Sequence, residues 1–170
     1  MELHHLILDT SRLTLIPFTL MDHQLLHETF IDPYVRKYLW DDDIISSDQA
    51  LDILKVNETH FKDKGWGLWK IVIKADHSFA GFAGLWMFFD EGQPQLLYGL
   101  LPGYIGQGFA TEASRAVCHY ALEVLQFREL TASFDTINAP SKGVCERLGM
   151  VHLKTEIMNG KETSFYRLMP

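Results

Sequence analysis

The 170-residue sequence is poor in cysteine, with only Cys118 and Cys145 and no C-x-x-C pair. That scarcity argues against structural disulfides and a cysteine zinc site, and points to a reducing, cytoplasmic setting. Basic charge is also short. Lys and Arg number 15 against 22 Asp and Glu, a net charge of −7. Nucleic acid is an unsuitable partner for such a chain, because a phosphate backbone needs a basic face. A cationic substrate such as an amine suits it better. Long hydrophobic runs are missing too. The longest strongly apolar stretch, Phe82 to Phe89, falls far short of the ~20 residues of a membrane span. Met1 to Asp9 lacks the basic start and sustained apolar run of a signal peptide. No membrane partner is expected. No repeat, linker or low-complexity stretch divides the chain, so residues 1–170 read as one domain.

What is present is ordinary for a folded domain: 47% hydrophobic and 22% charged residues. Alternation over Arg12 to Pro17 predicts a first strand. Thr19 is placed to cap a helix over Leu20 to Ile31, and Pro33 starts a short helical turn through Tyr38. Ser47 opens a helix to Lys64 with Leu51, Leu54 and Phe61 inward, stopped by Gly65. Trp66 to Ile73, Ser78 to Phe88 and Gln95 to Leu101 read as an antiparallel meander turned at Asp76-His77 and Glu91-Gly92. A helix from Gly108 to Leu125 aligns Ala110, Ala113, Val117, Ala121 and Val124 on one face. Leu130 to Thr136 is a strand and Pro140 to Leu148 a short helix ended by Gly149. Met150 to Glu156 and Ser164 to Leu168 close the fold. The order predicts an α+β (mixed α/β) domain on one sheet.

The most informative segment runs from Leu97 to Ser114. A strand passes through a turn carrying Gly103, Gly106 and Gly108 directly into an amphipathic helix. Main-chain N–H groups left open there, with the positive end of the helix dipole, seat a phosphate or pyrophosphate. A Walker loop fails, because Phe109 and Ala110 stand where lysine and a hydroxyl residue are required. A dinucleotide loop is weak, because Thr111 occupies its third glycine position and the segment comes late in the chain.

Several segments together resemble the GNAT acyltransferase superfamily, in particular its ribosomal-protein N-acetyltransferase (RimJ/RimL-like) branch. They are Leu8-Asp-Thr-Ser-Arg-Leu-Thr-Leu15, Asp32-Pro-Tyr-Val-Arg-Lys-Tyr38, Phe82-Ala-Gly-Leu85, Tyr104-Ile-Gly-Gln-Gly-Phe-Ala-Thr-Glu-Ala113 and Asn138-Ala-Pro-Ser-Lys-Gly-Val-Cys-Glu-Arg-Leu-Gly-Met150. The resemblance implies a single, mostly antiparallel twisted sheet flanked by helices, with a V-shaped splay between the fourth and fifth strands. It implies acetyl-CoA as cosubstrate and no metal. The loop residues Ile105, Gly106, Gln107, Gly108, Phe109, Ala110 and Thr111 would hold its pyrophosphate. Tyr98, Gly99 and Leu100 would flank its pantetheine arm, Gly99 marking a bulge or a close backbone approach. Asn138, Ser141 and Lys142 would contact it from the far side. The activity implied is acetyl transfer to a primary amine, either a protein N-terminal α-amine or a small molecule, by direct attack in a ternary complex. A homodimer is common in such proteins.

The catalytic half is less defined by sequence. The N–H near Leu100 is a candidate oxyanion donor. Asp135 is a candidate base or amine anchor, and Asp41 to Asp43 a candidate rim for a cation. Tyr98 and Cys145 are candidate catalytic residues with a core alternative for each. Where relatives carry an acidic residue this chain has Gln95, and where some carry a tyrosine acid it has Cys145. A non-catalytic acyl-CoA-binding protein of the same fold is therefore the alternative reading. His23 and His27, at i and i+4, read as exposed rather than as zinc ligands.

Overall fold

The computed structural model describes residues 3–89 and 92–170, so the predicted turn at Glu91 lies outside the described residues. A short strand β1 (Leu8–Asp9) precedes β2 (Leu13–Pro17). Helices α1 (His23–Ile31), α2 (Pro33–Leu39) and α3 (Ser47–Lys64) follow. The meander is β3 (Leu68–Ile73), β4 (Phe79–Trp86) and β5 (Gln95–Leu100). Next come α4 (Phe109–His119), β6 (Leu130–Asp135), α5 (Ala139–Arg147), β7 (Val151–Met158) and β8 (Lys161–Leu168). Strands β1 to β5 form one antiparallel sheet in chain order, and β6-β8-β7 form a second. This is the expected α+β architecture, its helices packed around mostly antiparallel strands. The splay falls between the predicted fourth and fifth strands, here β5 and β6, and neither sheet's backbone pairing crosses it.

Local chemistry fixes the helices. Helix α3 opens at Ser47 as expected and Ser46 caps it: its hydroxyl accepts from the Gln49 N–H at 3.1 Å while the Gln49 side chain accepts from the Ser46 N–H at 2.8 Å. Gly65 ends α3 at φ +75°, a left-handed conformation that glycine adopts without a Cβ penalty. Asp32 caps α2 from the position before its proline. His23 and His27 are placed by the backbone rather than by a metal. Their Nε2 atoms lie 2.7 Å from the Ser47 carbonyl and 3.0 Å from the Ile45 carbonyl, fastening α1 to the entrance of α3.

Side chains of β4 alternate between two cores. Phe82 joins Phe18, Leu26, Phe30 and Leu54 beneath α1–α3. Ala83 faces Trp69, Ala113 and Val117 beneath α4. Trp69 is fully buried and its indole N–H donates to the Leu6 carbonyl at 2.6 Å. Asn57, also fully buried, accepts from the Leu68 N–H at 2.7 Å and donates to the Phe18 carbonyl at 3.1 Å. It thereby stitches α3 to the strands it covers.

The predicted single helix from Gly108 to Leu125 requires correction at its end. The α-helix stops at His119, and Tyr120–Val124 form a π-turn closed by the Leu125 N–H on the Tyr120 carbonyl at 3.0 Å. Tyr120 packs edge-on to Trp69 at 5.6 Å and its hydroxyl donates to the Gly65 carbonyl at 2.7 Å. The extra residue in that turn rotates the following side chains. Val124, expected inward, is exposed, while Ala113, Val117 and Ala121 are buried as predicted.

Candidate active site

The seam between β5 and β6 is a wedge. Gln93 Nε2 donates to the Glu129 carbonyl at 2.7 Å, and Ser133 Oγ donates to Gln95 Oε1 at 2.6 Å. These ties fall in the same order along both strands, so β5 and β6 run side by side in the same direction from a fastened end. Beyond them lies a cavity of about 680 Å³. Tyr98, Gly99 and Leu100 line one wall, and Asp135, Asn138 and Ser141 the other.

The orientation of β5 matters for chemistry. The Leu101 N–H donates to the Ala80 carbonyl at 2.9 Å, toward β4. Backbone groups alternate in direction along an antiparallel strand, so the N–H groups of Leu100 and Tyr98 point the other way, into the seam. A carbonyl or amide laid along that edge meets unused strand donors. Gly99 has a different reason from the one expected. The β4–β5 register is unbroken there, and a Cβ at Gly99 would lie 2.6 Å from the Phe82 ring directly across the ladder. The glycine makes room for a core aromatic.

At one end of the cavity stands the glycine turn. Gly106 and Gly108 take φ +80° and +82°, and a Cβ on Gly106 would meet nothing. Helix α4 begins at Phe109 without a side-chain cap. Ile105, Gly106, Gly108, Ala110 and Thr111 line the cavity. Gln107 and Phe109 do not line it and are structural. The Gln107 carbonyl accepts from Arg12 Nη1 at 2.9 Å, and the buried Phe109 ring lies 4.6 Å under the Arg12 guanidinium. Arg12 Nε also meets Glu112 at 2.7 Å. Glu112 accepts from Thr10 Oγ1 at 2.6 Å and from the Arg12 N–H at 2.9 Å. Burial alone would raise the Glu112 pKa, but the Thr10 and Arg12 bonds outweigh it and hold the carboxyl at about 2.

Arg147 is a site residue the sequence reading missed. It lines the cavity and its Nε donates to Thr111 Oγ1 at 3.1 Å, setting a guanidinium beside the first turn of α4. The only sequence signal is its position four residues after Gly143 on one face of α5. Lys142, by contrast, does not line the cavity and points along the helix to Glu146 at 3.8 Å. The uncapped helix start, the open space over Gly106 and this guanidinium fit a polyphosphate.

Asn138 is nearly buried and caps α5, its Oδ1 accepting from the Ser141 N–H at 3.2 Å. The Tyr98 hydroxyl donates to the Ser141 carbonyl at 3.1 Å and lies 3.8 Å from Cys145 Sγ. Burial, and then the neighbouring Cys145, raise the Tyr98 pKa, so its hydroxyl stays protonated. Cys145 has no exposed surface, does not line the cavity, and is pushed up to about 11 by burial. A thiol with that pKa is about one part in ten thousand thiolate at pH 7. Cys118 is likewise buried, at about 12.

The far end of the cavity is aromatic and charged, and was not foreseen as one site. Tyr34 and Tyr38 of α2, Phe88 and Phe89 after β4, and Met158 of β7 line it. Lys161 meets Asp41 at 2.8 Å and Asp135 at 3.5 Å, joining the β7–β8 turn to the loop after α2 across the opening. The Asp41 bond raises the Lys161 pKa, so the amine stays charged. Among the described residues no group of three or more metal-ligating side chains converges, and no helix is long and apolar enough to cross a membrane.

A parted sheet with a glycine turn and a helix start at one end of the cleft is the form of an enzyme that lays a long phosphorylated cosubstrate across its strands. Residues 12–151 match the model of the acetyltransferase (GNAT) domain. The chain belongs to that family, and it is an acetyl-CoA-dependent acyltransferase. It is 29% identical over 134 residues to the uncharacterized N-acetyltransferase p20 of Bacillus licheniformis, covering 78% of this chain and 75% of that one. An acetyltransferase structure from Agrobacterium tumefaciens C58 superposes with a TM-score of 0.83 at 22% identity, over 96% of this chain and 94% of that one. The ribosomal L7/L12 α-N-protein acetyltransferase RimL, solved with coenzyme A, superposes at 0.78 with 16% identity, over 96% and 97% of the two chains. The RimJ/RimL-like resemblance read from the sequence is consistent with these neighbours.

Proposed function

We propose that the chain moves an acetyl group from acetyl-CoA to a primary amine, a polypeptide N-terminal α-amine or a small-molecule amine, by direct attack within one ternary complex. The observation that carries this reading is a single cavity with the glycine turn and Arg147 at one end, free strand donors at Leu100 in the middle, and paired carboxylates at the other. Bound acetyl-CoA supplies an activated acyl group. Gly106, Gly108 and the amides of Ala110 and Thr111, with Arg147, hold its phosphates. Tyr98 to Leu100 and Asn138 flank its arm. The Leu100 N–H stabilises negative charge developing on the acyl oxygen, and the Tyr98 hydroxyl, which donates to the Ser141 carbonyl in the free chain, turns its one proton to the leaving sulfur. Asp135 and Asp41 take the acceptor ammonium in place of Lys161, and Asp135 helps it lose its proton. The aromatic lining at that end favours an amine on an apolar body. The neighbouring RimL structure supports a peptide α-amine within this class.

The burial of Cys145, sealed in the core and held as a thiol, supports direct attack over a covalent relay. Placement of two bound reactants then supplies most of the acceleration. Both cysteines are free and buried, which suits a reducing cytoplasmic setting.

Gly108→Val tests the cofactor seat. At φ +82° a β-branched side chain strains the turn, so the amides move and CoA affinity falls at least about tenfold by calorimetry. Unchanged affinity in a folded variant removes the loop from the binding site. A set of amines and N-terminal peptides assayed for CoA release tests the acceptor class, and release with none of them refutes amine transfer.

A further inference from the structure

Lys161 is the one lysine among the described residues that line the cavity. It opens β8 directly after Asn159-Gly160, a turn with both residues at positive φ. Its ammonium is held from two sides, by Asp41 at 2.8 Å and Asp135 at 3.5 Å. Both carboxylates are fixed in place. Asp41 and Asp42 take φ of +52° and +67°, a conformation that residues other than glycine rarely hold. The Asp42 N–H donates to the Arg36 carbonyl at 3.1 Å and its carboxylate meets Arg36 Nε at 3.0 Å, which locks that loop. Asp135 ends β6 with its side chain only 17% exposed, and its carbonyl accepts from the Asn138 N–H at 2.7 Å. The Lys161 amine is therefore tethered at the wall that faces Leu100 across the seam.

We infer that Lys161 is itself an acceptor: with acetyl-CoA bound and no external amine in the cavity, the chain acetylates its own Lys161 Nζ. The inference rests on the acetyl-transfer reading, because this amine sits between the two carboxylates that an external acceptor needs. The ammonium gives one proton to Asp135, which passes it to water. The free amine attacks the thioester carbon, a C–N bond forms as the C–S bond breaks, and the second proton of the nitrogen goes to the departing CoA thiolate. Nucleophile and cosubstrate seat belong to one molecule, so no encounter with a second reactant is required. The Asp41 bond keeps the amine charged, which makes the step slow beside transfer to a bound acceptor. Acetyl-Lys161 carries no charge, so both ion pairs are lost and the two carboxylates are left to an external ammonium. Lys154 provides the comparison. It is 47% exposed against 43% for Lys161 and is also paired, to Glu156 at 3.1 Å, but it does not line the cavity. Uncatalysed acetylation by the thioester treats the two alike.

Peptide mass spectrometry tests it. The purified full chain, cleared of acetyl-lysine by a deacetylase, is incubated with isotope-labelled acetyl-CoA and no acceptor. Lys161 is expected to gain label at least about tenfold faster than Lys154. An excess of free CoA, which competes for the cosubstrate seat, should suppress labelling of Lys161 and leave Lys154 unchanged. The rate per chain should stay constant across a concentration series of the protein. Equal labelling of the two lysines, or labelling of Lys161 that free CoA does not suppress, overturns the inference. A rate that rises with protein concentration overturns it as well, because one copy then modifies another. Release of CoA to the amine and peptide set by a chain that leaves Lys161 unmodified overturns this inference alone and leaves the acetyl-transfer reading in place.

Discussion

Replacing Glu112 with glutamine removes one charge from a carboxylate that Thr10, Ser11 and Arg12 all address. The amide keeps an oxygen for the Thr10 hydroxyl and the Arg12 N–H, so the change isolates the ion pair with Arg12 at 2.7 Å. In the folded protein the carboxyl sits at about 2, against an ordinary value of 4.5. That gap corresponds to roughly 3 kcal/mol. Arg12 is about half exposed, so water and salt screen its share and about 2 kcal/mol is the expected loss at pH 7. Because the folded value is depressed, this stability is fully present above pH 4.5 and is lost as pH falls toward 2, with more than half gone near pH 3. Urea and thermal unfolding of both proteins from pH 7 to pH 3 measure it. The variant should melt about 4–8 °C lower at pH 7 and close more than half of the gap by pH 3. A deficit independent of pH, or no deficit at pH 7, refutes the argument.

Asn57→Ala leaves the Phe18 carbonyl and the Leu68 N–H unpaired in a dry core, so the urea midpoint should fall by the equivalent of about 2–4 kcal/mol with activity per folded molecule unchanged. Cys145→Ala should cost about 1 kcal/mol of packing and keep kcat within about threefold, whereas a hundredfold loss of kcat would make the thiol a participant in the reaction. Tyr98→Phe removes the hydroxyl that touches both Ser141 and Cys145, and is expected to lower kcat with little change in the KM for acetyl-CoA.

Local chemistry was readable ahead of the structure and long-range chemistry was not. Gly106, Gly108 and an uncapped helix start sit within a few residues of each other, so their joint meaning shows in the string itself. The meander, the α3 stop at Gly65 and the Asn138 turn are local in the same sense. Arg12 and Glu112 stand 100 positions apart, and Lys161 and Asp41 stand 120 apart, so only folding reveals that the first pair braces the glycine turn and the second lies at the cavity. The π-turn at Tyr120 has a tertiary cause, the Gly65 carbonyl and the Trp69 ring, and the apolar spacing carried no trace of it. Gly99 shows how a correct residue was given the wrong reason. A glycine in a strand signals space, and the tenant of that space is the cross-strand Phe82.

The wedge fastened at Gln93 and Gln95 leaves the protein one strand short. Whatever threads the gap completes the ladder, so the guest acts as a removable beam in the building. At a hundredfold excess over its Kd such a guest adds about 2.7 kcal/mol to the folded state, and none to the unfolded one. How long each copy survives heat or proteolysis is therefore coupled to how well supplied its surroundings are with the compound it consumes.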